Sequence, residues 1–207
     1  LRFDNRWSNE LQRERFAAEV QAVARLRHPG VIEIYDHGLV TAEEAQQARG
    51  LADAGSPWLA MEFCSGGSLD TKTFNDWSQL QPYLADILAA LAYTHAHGML
   101  HRDLKPANMM IDQQGGLKLA DFGIAATLAE SFSRSSMQGN ISGTSVYMSP
   151  QQMRGEIPRA SDDLYALGST FYELLTSRTP FYSGDIGYQV INEDPKPLAE
   201  RLKELGL

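Results

Sequence analysis

Two short segments carry the residue types needed to manage phosphate and a hard metal ion. They are His101-Arg102-Asp103-Leu104-Lys105-Pro106-Ala107-Asn108 and, thirteen positions beyond Asn108, Asp121-Phe122-Gly123. Carboxylate and carboxamide oxygens suit a small divalent cation that keeps phosphate and water in its shell. Phosphoryl transfer asks little covalent work of a protein, so catalysis rests on placing charges and orienting one acceptor. A lone Asp-Phe-Gly is usually a turn, and an isolated His-Arg-Asp is usually a solvated loop. Here the segments flank two apolar stretches, Met109-Met110-Ile111 and Leu117-Lys118-Leu119, separated by Asp112-Gln113-Gln114-Gly115-Gly116. That pattern predicts a hairpin, so both loops emerge from neighbouring strands and can converge on one metal.

The H-R-D-x-K-x-x-N and D-F-G pair resembles the eukaryotic-type (Hanks-type) serine/threonine protein kinases, with a bacterial flavour in Tyr147-Met148-Ser149-Pro150-Gln151-Gln152 and Asp163-Leu164-Tyr165-Ala166-Leu167-Gly168. The resemblance implies ATP and Mg²⁺ as cofactors. It makes Asp103 the group that accepts or orients the hydroxyl proton and Lys105 the cation that steadies the transferring phosphoryl. Asn108 and Asp121 become the Mg²⁺ ligands. Lys105 and Gly143-Thr144-Ser145-Val146 also favour serine and threonine over tyrosine on protein substrates. Gln151 departs from the family pattern, where a glutamate makes an ion pair; glutamine leaves only a neutral hydrogen bond.

Other elements must position these residues. Glu10 to Arg27 reads as a helix with an apolar stripe at Leu11, Phe16, Val20, Val23 and Leu26, ended by His28-Pro29-Gly30. By resemblance Glu19 is the partner of an ATP-gripping lysine, the alternative being an ordinary exposed carboxylate. Val31 to Tyr35 and Trp58 to Phe63 read as strands. The connection between them, near 41–57, is long, and Thr41-Ala42-Glu43-Glu44 has capping-box spacing for a small helix over Ala42 to Arg49. The resemblance makes 62–67 a hinge, with Met61 behind the adenine, the backbones of Glu62 and Cys64 on its polar edge, and Met110 also lining the nucleotide site. Met61 fits plain core equally well. Gly66-Gly67 lets the chain leave the hinge tightly.

Leu84, Ile87, Leu88 and Leu91 mark a core helix over Leu80 to His97, and Leu164, Leu167, Phe171, Leu174 and Leu175 mark another. The resemblance makes Asp163, at the start of the latter, a support for the catalytic-loop backbone; simple capping is the alternative. Asp121 to Gln151 is the expected activation segment. A phosphate on Ser131, Ser133, Ser135, Ser136 or Ser142 is expected to activate it through Arg102, and Thr144 and Ser145 follow on the same stretch.

The fold class expected is α+β, the two-lobed kinase-like fold. Residues 1–64 make a partial small β lobe, and 65–207 a mostly helical large lobe lacking its last helices. No Gly-rich loop or V-A-x-K strand precedes Glu19, so the 207 residues read as an internal piece of a larger kinase, impaired alone and poorly soluble through apolar surface at both ends. The rival reading is a pseudokinase or nucleotide-binding scaffold. A G-x-x-x-x-G-K-[ST] phosphate loop, which a different ATP-binding fold would need, does not occur. A net charge of −8 argues against general nucleic-acid binding, and no apolar run reaches membrane-spanning length. The single cysteine, Cys64, allows no internal disulfide. A cytoplasmic location is expected, with any membrane anchor outside these residues.

Overall fold

The computed structural model describes residues 10–123 and 145–206. The serines at 131–142 and Thr144, expected to carry or flank an activating phosphate, lie outside the described residues. Helix α1 (Glu10–Ala24) turns Phe16, Val20 and Val23 inward at i, i+4, i+7 spacing, and Leu26 stays buried after the helix has ended. The helix closes three residues short of Arg27.

The chain then departs from the strand expected at 31–35. Val31 makes an isolated parallel bridge to Leu119, the Ile32 N–H donates to the Leu119 carbonyl, and the Leu119 N–H donates to Gly30. Strand β1 starts only at Ile34 and runs to Leu39, antiparallel to β2 (Pro57–Met61), with an irregularity between Ile34 and Asp36. The apolar run Val31-Ile32 marks burial under the hairpin rather than sheet pairing with β2. Between the strands, α2 (Ala42–Gln47) forms as its spacing predicts. Thr41 Oγ1 accepts from the Glu44 N–H, and Glu44 returns a carboxylate bond to the Thr41 N–H at 2.7 Å.

Gly66 and Gly67 carry the chain away from β2. A Cβ on Gly66 would stand 2.7 Å from the Ile111 side chain, and Gly67 adopts φ +75°, so both positions need glycine. Helix α3 (Trp77–Ala96) follows, N-capped by Asp76. The hairpin of β3 (Met109–Ile111) and β4 (Leu117–Leu119) pairs Met110 with Lys118. Asp112 closes its turn by accepting from the Gln114 and Gly116 N–H groups. After residues 121–123 come, among the described residues, α4 (Pro150–Met153), α5 (Ala160–Thr176), α6 (Ile186–Asn192) and α7 (Leu198–Glu204). Helix α5 begins three residues before Asp163, because Asp162 accepts from the Arg159 N–H at 2.8 Å and caps it.

One apolar core runs from α1 through α3, the β3–β4 hairpin and Phe122 to Leu167, Phe171 and Leu175 of α5. Among the described residues no helix is long and apolar enough to cross a membrane.

Candidate active site

The segment 101–108 hangs between the hairpin and α5. Asp163 is 2% exposed, and its carboxylate accepts the His101 N–H at 2.9 Å and the Arg102 N–H at 2.8 Å. His95 on α3 reaches the same carboxylate at 2.7 Å through Nε2. The helix cap belongs to Asp162, so Asp163 is free to hold the loop, as its resemblance-based reading expects. These bonds lock Arg102 at φ +64°, a left-handed conformation rare outside glycine; Asp121 is held similarly at +53°.

His101 is fully buried and joins the two chemical segments. The Asp103 N–H points at its Nδ1 at 3.4 Å, so Nδ1 is the acceptor; Nε2 then carries the proton and donates to the Ala120 carbonyl at 3.0 Å. Burial holds its pKa below the ordinary value, against the pull of Asp163 and Asp103. Its ring lies against Phe122 with centroids 4.6 Å apart. The Gly123 N–H donates to the His101 carbonyl and the Ala120 N–H to the Asn108 carbonyl. The hairpin inferred from sequence is therefore tied shut at both loops.

Asp103, Lys105 and Asn108 come into direct contact. Lys105 Nζ stands 2.8 Å from Asp103 Oδ2, and Asn108 Nδ2 donates to the same oxygen at 2.9 Å and to the Asp103 carbonyl at 2.8 Å. Oδ1 of Asp103 is buried and accepts no hydrogen bond among the described residues. With Nδ2 of Asn108 engaged, its Oδ1 is the atom left to act as a donor to a cation. Asp121 keeps one side toward solvent. Lost hydration, then the neighbouring Asp103 carboxylate, holds its pKa above the ordinary aspartate value, while Lys105 pulls it down. A carboxylate raised by burial and by a neighbouring carboxylate marks a place that favours positive charge. Among the described residues no three His, Cys, Asp or Glu side chains gather as a metal cage. Mg²⁺ needs none, since it is commonly held by one or two protein oxygens completed by phosphate and water.

Cys64 and Met110 share a small apolar cluster with Ile32 and Ala120, directly before Asp121. Burial, with help from Glu62, pushes the Cys64 thiol up, which favours an inert thiol. Met61 ends β2 opposite Ile34 and is 40% exposed, so the plain-core reading does not hold. Glu19 sits on α1 among Phe16, Val20 and Val23 with its Oε2 buried, which removes the alternative of an ordinary exposed carboxylate.

Several residues escaped the sequence reading. His95 and Lys118 carry no local signal for their partners, and Glu173 on α5 accepts the Tyr147 hydroxyl at 2.5 Å. Burial and that carboxylate together raise the pKa of Tyr147 well above the phenol range.

The chain belongs to the protein kinase domain family, which matches residues 2–202. The chain is 37% identical over 195 residues to the serine/threonine-protein kinase PknB of Mycolicibacterium smegmatis, covering 90% of this chain and 30% of that protein. It is 38% identical over 193 residues to the probable serine/threonine-protein kinase PknB of Bifidobacterium longum, covering 88% of this chain and 27% of the relative. With the probable serine/threonine-protein kinase CE0033 of Corynebacterium efficiens it shares 36% identity over 201 residues, 94% of this chain and 29% of the relative. The chain thus spans less than a third of the length of these curated relatives.

Proposed function

We propose that the protein containing this chain transfers the γ-phosphoryl group of ATP to serine and threonine hydroxyls of other proteins. The observation that carries this reading is the divided Asp103 carboxylate. Lys105 and Asn108 hold Oδ2, while Oδ1 is shielded from water and without a donor among the described residues. Such an oxygen is prepared to receive a hydroxyl proton as the oxygen–phosphorus bond forms and the β–γ bridge breaks, with ADP leaving. Lys105 stands where negative charge develops and offsets it. Asn108 Oδ1 and Asp121 would hold Mg²⁺, which when bound neutralises the phosphate oxygens. Cys64 and Met110 supply an apolar wall for a base, and the backbones of Glu62 and Cys64 its polar edge. Similarity to kinases that act on serine and threonine supports the acceptor class.

The test uses the full-length protein with labelled ATP and a general protein substrate, followed by identification of the phosphorylated amino acid. Asp103→Ala should reduce incorporation by about 10²–10⁴-fold, the usual contribution of a positioned base. Nucleotide binding without incorporation by the wild type would replace this reading with a nucleotide-binding scaffold.

A further inference from the structure

Glu62 was of interest for its backbone, but its side chain is the more unusual feature. Its Oε1 pairs with Lys118 Nζ at 2.9 Å, and its Oε2 accepts the Glu33 N–H at 3.1 Å. The Glu62 N–H in turn donates to the Glu33 carbonyl at 2.9 Å. One carboxylate therefore joins three segments: the entry to β1, the hinge, and β4. The pair is no surface ornament, since the side chains are 19% and 13% exposed. Exposed ion pairs contribute little, whereas partly buried ones with every oxygen engaged hold geometry.

The two ends of this strap differ in what else restrains them. Strand β4 is fixed at Leu119 by backbone bonds to Gly30 and Ile32, and Lys118 lies three residues before Asp121. The hinge is tied at its ends, by the Glu62 N–H to Glu33 and by the bonds of Gly66 and Gly67 to Ile111, while between them Phe63 is 81% exposed, and Met61 just before is 40% exposed. Removing the ion pair should leave Asp121 in place and loosen the stretch from Glu62 to Cys64 between the hinge's tied ends.

We propose that Glu62 and Lys118 are positioning residues that hold the base-reading backbone of the hinge at a fixed span from Asp121, and thereby set nucleotide affinity and the preference for adenine over guanine. This rests on the kinase reading above. A main-chain edge distinguishes the two bases only if its register against the rest of the site is held, because the bases present opposite donors and acceptors at the same position.

The test measures KM and kcat for ATP and GTP at saturating Mg²⁺ in the full-length protein, for wild type, Lys118→Met, Glu62→Gln, Lys118→Arg and the Glu62→Gln/Lys118→Met double variant. Each neutralising single change should raise the KM for ATP about tenfold, within the range of coupling between contacting residues, and narrow the ATP-over-GTP ratio. Lys118→Arg should restore both, and the double variant should be no worse than the worse single. If Lys118→Met does not fold, the double variant, which leaves no orphaned charge, carries the measurement. An unchanged KM and ATP-over-GTP ratio beside a lowered Tm would reduce the pair to a stabilising contact and overturn the proposal. Should the wild type bind a fluorescent ATP analogue without transferring phosphate, the kinase reading fails and the same variants are compared by Kd. A wild type that binds no nucleotide overturns both.

Discussion

Around Asp103 the backbone is held by buried polar groups with few alternatives. Asp163 takes two main-chain N–H groups and a histidine, and His101 uses both ring nitrogens. Around Met61 and Phe63 the chain is exposed and followed by glycines, and it is held laterally by main-chain bonds to Glu33 and Ile111 and by the Glu62–Lys118 ion pair. The first region resembles a casting and the second a hinge with a stay. On the proposed kinase reading the difference follows from what each would do: a proton acceptor has to be placed to a fraction of an ångström, whereas a nucleotide has to enter and leave.

The largest test of this contrast falls on Asp163. Asp163→Ala leaves two buried N–H groups unpaired, so unfolding free energy should drop by about 3–5 kcal/mol in chemical denaturation, as when one partner of a buried charged contact is removed. Activity should vanish with it, while Asp163→Asn, which keeps one acceptor oxygen, should lose less. Wild-type stability in either variant would mean that the rigid side is held by packing alone.

A smaller effect follows from His101. Its folded pKa lies below the ordinary 6.5, so the native state binds fewer protons than the unfolded chain between the two values. Stability is therefore fully present above about pH 6.5 and is lost as pH falls through that window toward the depressed native pKa. Denaturation followed from pH 8 to pH 5 should show this loss. His101→Phe, which keeps the ring against Phe122 but cannot titrate, should flatten that part of the profile. An unchanged slope in the variant would place the acid sensitivity elsewhere.

The chemical residues were legible because they lie close together in sequence: Asp103, Lys105 and Asn108 span six positions, and a predictable hairpin carries Asp121 back to them. Thr41 and Glu44 were legible for the same reason. The β1 boundary was not, since Val31 and Ile32 are apolar for burial under Leu119, and apolarity does not say which neighbour covers it. Nor was the bond between Glu62 and Lys118, whose partners are 56 positions apart and look like ordinary surface charges. Asp163 was placed by resemblance; its third partner, His95, became visible only when α3 and α5 were packed together.

The smallest expected effect lies far from both regions. Thr41→Ala removes one half of the α2 capping box and should lower stability by about 0.5–2 kcal/mol in denaturant titration. Phosphotransfer should be unchanged. A fall in activity would show that the 41–57 excursion communicates with the site.

That excursion has a practical side. Helix α2 has no buried residue, and its base is closed by the Val40 N–H to Ser56 and the Gly55 N–H to Val40. Because each doubling of a closed loop's length adds only about 0.6 kcal/mol of closure entropy, the segment is a natural socket for an engineered graft. A reporter or affinity tag inserted between Ala42 and Gln47 would ride on the outside of the domain and leave the Cys64–Met110 cluster and the Asp103–Lys105–Asn108 contacts as they are.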